Sequence, residues 1–362
     1  MIAVITFTIL TFFICFSTIV LAQSDTTKAK ITLSGYAEVY YSYDPTNPSN
    51  HQKSGFVFSH NRSNEVNLNL GFIKANYQTK TVRANMALMA GTYANANLAN
   101  EPGLLKAVYE ANVGLKLSKK HNLWLDAGIM PSHIGFESAI GKDCWNLTRS
   151  MLADNSPYFE TGVKIGFSSK NEKWYLSGLV LNGWQRIQRQ DGNNALALGH
   201  QLTYKPSSKL TLNSSSFVGS DTPDSIRCMR YFHNLYGQFQ LSKKIGLIAG
   251  FDIGIQQLQK HSKTYGTWFS PVVIGKFALS SKSIIAIRGE LYSDKDQIYF
   301  ITGLSSGLNL AGYSINYDFN YSENVVWRIE AKGYSNETAL FNLVNHPSKN
   351  QFYITTALAI SF

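Results

Sequence analysis

Large apolar residues recur at every second position in one segment after another along this chain. Val82, Ala84, Met86, Leu88 and Ala90 alternate with Arg83, Asn85 and Gly91, and Leu123, Leu125, Ala127 and Ile129 alternate with Trp124, Asp126 and Gly128. In the last segment Phe352, Ile354, Leu358, Ile360 and Phe362 share one face. A period of two belongs to β-strands with two unlike faces. The connections alternate between short polar turns, at 78–80, 118–121, 168–173, 205–209, 242–244, 280–283 and 321–324, and longer irregular stretches.

Those seven short turns, with both chain ends on the same side, imply sixteen strands. They are expected near 31–43, 64–77, 81–93, 106–117, 122–130, 158–167, 174–186, 195–205, 210–218, 229–241, 245–257, 264–279, 284–292, 308–321, 325–333 and 351–362. Residues 297–303 read either as a further short strand or as part of a loop. The predicted fold is all-β: a transmembrane antiparallel up-and-down β-barrel of about sixteen strands, wide enough for an aqueous lumen. A water-soluble two-sheet sandwich would also alternate, but it accounts for neither chain terminus.

Ile2 to Leu21 form an apolar run that stops at Val20-Leu21-Ala22, before Gln23-Ser24-Asp25. This is the pattern of a signal peptide cleaved after Ala22, so residues 1–22 are expected to be a signal peptide and 23–362 the barrel. No Lys or Arg precedes the run, and an N-terminal membrane anchor also fits its length but lacks a flanking positive cluster. No later apolar stretch approaches the roughly 18 residues a membrane helix needs. The final Phe362 looks like the terminal aromatic by which outer-membrane barrels are recognised for insertion. The expected location is the outer membrane of a Gram-negative bacterium. Its lipids, and the barrel-assembly machinery acting through the C-terminal strand, are the expected partners.

Composition and charge narrow the reading. The chain is 13% aromatic with 27 Gly and 9 Pro, which suits two-faced strands and polar turns. The formal charge of +10 comes without a run of five or more basic residues, so no nucleic-acid partner is expected. The short turns carry ten lysines against two glutamates, placing most of the excess at the periplasmic rim. The faces assigned to the lumen carry Arg83, Lys116, Lys164, Arg230, Lys276, Arg288, Arg328 and Lys332 against Glu38, Glu65, Glu110, Asp126, Glu160, Asp252, Glu290, Asp318 and Glu330. That balance is close to neutral, and the basic isoelectric point therefore does not imply an anion-selective pore.

The longest connection, Pro131 to Pro157, is the third external loop. Ile134, Phe136, Ile140, Trp145, Leu147, Met151 and Leu152 make it too apolar for a solvated tail. Packed inside the barrel it would bury these residues and narrow the channel. Glu137, Lys142, Asp143, Arg149 and Asp154 would then form a pore constriction against Arg83, Arg230 and Arg288. An external cap or an oligomer contact is the other reading of the same loop.

Three segments carry a family resemblance. Ser59 to Ala75, Gly128 to Ser138 and Gly178 to Gln185 resemble the β-barrel porin-2 (OmpL-like) outer-membrane family of the Bacteroidota, and the resemblance extends over nearly all of the chain after residue 22. It implies an outer-membrane barrel with a porin role.

Catalytic chemistry finds no support. His51, His60, His133, His200, His233 and His346 are scattered without a spacing that implies a partner, no Cys/His cluster has metal-ligand spacing, and no phosphate-binding loop is present. Neither enzyme activity, cofactor nor metal is expected. Cys144 and Cys228 fall in loops on one side of the membrane and could be either a disulfide or two free thiols. The expected function is passive diffusion of small hydrophilic solutes or ions, with a homo-oligomer by analogy to porins of this size. The alternative is a non-conducting barrel acting through its external loops as adhesin, receptor or structural protein.

Overall fold

The computed structural model describes residues 29–343 and 346–362, so the expected signal peptide lies outside the described residues. Its strands are β1 Lys30–Tyr43, β2 Val66–Gln78, β3 Val82–Ala90, β4 Val108–Lys116, β5 Asn122–Pro131, β6 Phe159–Ser168, β7 Trp174–Leu181 and β8 Ala197–Ser207. The second half continues with β9 Leu210–Gly219, β10 Arg230–Gln240, β11 Ile245–Gln257, β12 Tyr265–Ala278, β13 Ser283–Asp294, β14 Leu308–Asn320 and β15 Val325–Asn336. A small hairpin, β16 Phe341–Leu343 with β17 His346–Ser348, precedes β18 Asn350–Ser361. β1–β15 and β18 form one closed antiparallel barrel, each strand paired with its sequence neighbour and β18 with both β15 and β1. The sixteen-strand barrel read from the alternation is therefore the fold of this chain.

Closure is made by the first and last strands, paired from Tyr36↔Ser361 to Tyr43↔Ile354. Beyond that ladder Gly35 and Phe362 exchange both backbone hydrogen bonds, at 2.8 and 3.0 Å. A Cβ on Gly35 would stand 2.2 Å from the Phe362 ring. The missing side chain lets the terminal aromatic lie flat on the first strand.

The outer face is apolar and exposed, as with Ile31, Ile73, Leu88, Val113, Ile287, Ile315 and Leu358. Aromatic rings mark both edges of this belt. Trp174 stacks on Tyr204 at 4.2 Å and Tyr317 meets Trp327 at 6.2 Å on the short-turn side, while Tyr231 and Tyr265 lie 6.4 Å apart toward the long loops. The inner face carries the charges, since a Lys or Arg turned toward mid-membrane hydrocarbon would cost about 2–4 kcal/mol.

Several strand ends differ from the expected ones. β3 stops at Ala90 rather than residue 93, because Gly91 adopts φ 130° and helix α1, Thr92–Asn97, follows. A Cβ at Gly91 would lie 2.4 Å from the Asn69 carbonyl oxygen, so the break requires glycine. β7 ends at Leu181 rather than 186, and β13 and β15 run further, to Asp294 and Asn336. Residues 297–303 form no strand.

Candidate pore interior and its inward loops

The long connection after β5 runs against inward-facing side chains on many sides of the barrel. At its start His133 donates to Glu160 of β6 at 2.6 Å and to the Ser216 carbonyl of β9 at 2.8 Å. Arg149 organises the loop from within by donating to the carbonyls of Ser138, Leu147 and Ala139 at 2.7, 2.8 and 3.2 Å. Glu137 accepts the Ser150 amide at 2.9 Å, and Ser150 caps helix α2, Met151–Asp154, by accepting from Ala153. A buried loop backbone must find hydrogen-bond partners. Here the loop supplies some of them, and the barrel wall supplies the rest.

The wall partners come from β13, β14 and β15. Arg288 donates to the Thr148 carbonyl at 2.8 Å, Arg328 to those of Gly141 and Cys144 at 2.6 and 2.9 Å, and Lys332 to that of Arg149 at 2.8 Å. Glu290 accepts the Met151 amide at 2.6 Å, Glu330 the Thr148 amide at 2.5 Å and Asn316 the Leu147 amide at 3.0 Å. The charges also neutralise one another: Arg288 lies 3.1 Å from Glu330 and 3.4 Å from Glu290, Lys332 3.0 Å from Glu290, and Arg328 2.6 Å from Asp318. All of these except Asp318 are at most 4% exposed. Lys142 reaches the opposite rim, donating to the Glu323 carbonyl at 2.6 Å and to Ser361 at 2.7 Å. The loop thus extends from the long-loop end to the short-turn end of this side.

A second connection, 44–65, folds onto the first. Phe58 and Ser59 donate their amides to the Asp154 carboxylate at 3.3 and 3.2 Å, and Tyr158 donates its hydroxyl at 3.3 Å. Burial pushes the Asp154 carboxyl up to about 6, against the opposing pull of Lys332. Burial, and then the charge of Lys332, brings the Lys53 amine down to about 7 while it lies 4.6 Å over the Tyr353 ring. His60 pairs with the buried Glu38 at 2.8 Å, and Glu38 also accepts from Tyr36 and Asn69.

The opposite wall is arranged differently. On β3 and β5, Arg83 forms a bidentate pair with Asp126 at 2.6 and 2.5 Å while stacking 4.3 Å over Trp124. Lys74 pairs with Glu110. Arg83, Glu110 and Asp126, with Asn76, Asn85 and Lys164, line a cavity of about 330 Å³ that no loop fills. Toward the long loops a second cavity of about 190 Å³ is lined by Asp154, Trp184, Arg186, Asp221 and Arg230. There Arg230 lies among the rings of Trp184, Tyr299 and Trp268, 5.1, 5.1 and 5.7 Å away.

The expected constriction residues are therefore dispersed. Glu137, Arg149 and Arg288 meet in the buried seam, Asp154 joins the two loops, Lys142 sits at the short-turn rim and Asp143 is exposed. Arg83 and Arg230 face separate cavities. Lys53, His60, Lys74 and His133, none of them an expected site residue, also turn inward, and the apolar run Phe56-Val57-Phe58 is the sequence sign that the first loop folds in. The histidine spacing implies no partners, yet His60 and His133 each hold a buried glutamate. Glu65, assigned to the lumen, pairs with Arg62 in a partly exposed position. Cys144 and Cys228 are both free thiols. Among the described residues, no group of three or more His, Cys, Asp or Glu could hold a metal ion.

A closed sixteen-strand antiparallel barrel with an apolar outer face and a charged interior defines the class of outer-membrane porins and channels, located in the outer membrane of Gram-negative bacteria. The chain belongs to the family described as "Putative beta-barrel porin-2, OmpL-like", which matches residues 30–362. Among solved structures it is similar to the anion-selective porin from Comamonas acidovorans, at 8% identity and a TM-score of 0.61, covering 92% of this chain and 100% of that one. The outer membrane channel DcaP of Acinetobacter baumannii is similar at 9% identity and a TM-score of 0.60, covering 92% and 97%. The trimer form of OmpT, an outer membrane protein of Vibrio cholerae, is similar at 7% identity and a TM-score of 0.59, covering 92% and 99%. At these identities the likeness is one of fold. No curated protein matches the chain in sequence.

Proposed function

We propose that this protein lets small hydrophilic solutes or ions diffuse passively across the outer membrane, through a hydrated path that the loop after β5 narrows. The path runs along the β2–β6 side. The observation that carries this reading is the divided use of wall charge: on β13–β15 it is bound to loop backbone, whereas Arg83, Glu110, Asp126 and Lys164 remain around open space. Selectivity would come from width and fixed charge, with no covalent step. The similar porin from Comamonas acidovorans is described as anion-selective. Here the cavity charges are largely paired, which argues for weak ion preference. The competing reading, a barrel that does not conduct, draws on the reach of Lys142 to the short-turn rim.

Purified protein in a planar bilayer tests the choice. The porin reading expects discrete ohmic steps with a reversal potential close to zero in a salt gradient. Well-folded protein that stays silent would replace it with the non-conducting one.

A further inference from the structure

The end of the barrel that carries the short turns is charged in a way the pore does not use. The six turns from β2–β3 to β12–β13 hold ten lysines and one glutamate, while the seventh, 321–324, holds Glu323 and no lysine. All ten lysines are exposed, and among the described residues none of them forms an ion pair or donates a side-chain hydrogen bond. The eight connections at the other end, from 44–65 to 337–349, carry twelve Lys or Arg against eleven Asp or Glu. Several of those bases are already engaged, as Arg62 is with Glu65, Arg149 with loop carbonyls and Arg227 with Asp224. The free positive charge therefore gathers at one end of the molecule.

Three of these turns are built alike, and a fourth shares their hydrogen bonds. The outward apolar row of a strand runs directly into Leu117-Ser118-Lys119-Lys120, Leu241-Ser242-Lys243-Lys244 and Leu279-Ser280-Ser281-Lys282. The three leucines are 49, 62 and 57% exposed on the lipid face. Ser118 accepts the amides of Lys120 and His121 at 3.2 and 3.1 Å, Ser242 those of Lys244 and Ile245 at 3.2 and 3.1 Å, and Ser280 those of Lys282 and Ser283 at 3.2 and 3.0 Å. Thr79 accepts from Thr81 and Val82 at 3.2 and 2.9 Å, beside Lys80. The hydroxyl oxygen closes the turn on its own backbone, which fixes each lysine two or three residues beyond a lipid-facing leucine. From there a lysine stem can lie along apolar surface and hold its ammonium at the level of lipid phosphates.

We propose that this rim is a docking surface for phospholipids of net negative charge in the leaflet on the short-turn, periplasmic side. Six consecutive sectors carry lysine, so the surface follows the membrane boundary round most of the barrel, whereas a protein partner would meet one sector. Trp174 and Tyr204, stacked at 4.2 Å beside Lys173 and Lys205, mark the membrane interface next to these charges. No arginine occurs in any of the seven turns; lysine offers a mobile point charge, which suits headgroups that exchange and turn. A zwitterionic headgroup cancels its phosphate with its own amine and leaves the ring uncompensated. An anionic headgroup does not. The assignment holds whether or not the pore conducts.

The test places the full barrel in vesicles of equal phosphatidylglycerol and phosphatidylethanolamine, extracts it in mild detergent and reads the retained lipids by native mass spectrometry. The wild type should retain phosphatidylglycerol severalfold over phosphatidylethanolamine, and high salt during extraction should weaken the preference. Lys119→Gln, Lys120→Gln, Lys243→Gln, Lys244→Gln and Lys282→Gln together should lower that ratio by about half or more. Lys260→Gln, Lys263→Gln, Lys295→Gln and Lys349→Gln together, on the long loops, should leave it unchanged. All nine side chains are exposed, so both variants should keep the heat-modifiable migration of a folded barrel. No preference in the wild type, a ratio that survives the turn substitutions, or one that falls equally with the long-loop set would each overturn the proposal. Lysine-dependent sedimentation with peptidoglycan in place of a lipid preference would overturn it too, by giving the rim a polymer partner.

Discussion

The two halves of the barrel interior carry similar side chains and use them in opposite ways. On β13–β15, Arg288, Arg328, Lys332, Glu290 and Glu330 are sealed under a loop and bonded to its backbone, while on β2–β6, Arg83, Lys74, Glu110 and Asp126 pair across strands beside an open cavity. A charge withdrawn from water depends on its fixed partners, and losing one leaves the other buried and uncompensated. A pair of which one member keeps contact with water loses less. Charge on the inner face therefore marks a lumen without saying which charges a solute would meet.

Substitution separates the halves. Arg288→Met should destabilise the protein by about 3–5 kcal/mol, since Glu290 and Glu330 lose their guanidinium under the loop; denaturant unfolding in detergent measures this. Loss of under about 1 kcal/mol would mean that the seam is not sealed from water. Thiol labelling reads the same boundary. Cys144 is buried, and burial pushes its thiol up to about 11, whereas Cys228 is partly exposed. Near pH 8 Cys228 should label and Cys144 should not. Arg328→Ala, which frees the Gly141 and Cys144 carbonyls, should open Cys144 to reagent.

On the other wall Asp126 is buried while Arg83 keeps contact with water, so Arg83→Ala should cost less than the seam substitution, about 1–3 kcal/mol, while shifting ion preference toward cations. An unchanged reversal potential would show that Arg83 lies off the path. The smallest effect concerns the contact between the two inward loops. Asp154 titrates near 6 in the folded chain, above the roughly 3.9 of a free aspartate, so its contribution is complete below the lower value and is lost as pH rises toward the upper one. Lys53, lowered to about 7, acts with the opposite sign and mostly above that window. Hydrogen exchange at the Phe58 and Ser59 amides should quicken from about pH 4 to 6 beyond the intrinsic rise, and Asp154→Asn should remove the excess.

The barrel was legible because lipid on one side and polar groups on the other impose a period of two, which Val82 to Ala90 and Phe352 to Phe362 display without help from distant residues. Where alternation of this kind ran on past a strand, as from Ala90 to Tyr93, the end depended on Gly91 meeting the Asn69 carbonyl, a contact set by the neighbouring strand. The third loop declared its need for burial through Ile134, Trp145 and Leu147. Which wall it would meet was not written locally, because Arg288 and Arg328 lie far away in sequence and become its partners only when the barrel closes. Lys53 and His60 resemble solvated loop residues until the Tyr353 ring and Glu38 come beside them.

Single-channel conductance with and without residues 140–154 tests most directly whether the loop after β5 narrows a conducting lumen. Ohmic steps are expected from the full chain and distinctly larger steps from the deletion, provided the shortened protein retains the heat-modifiable migration of a folded barrel. Equal step sizes from two folded proteins would contradict that narrowing.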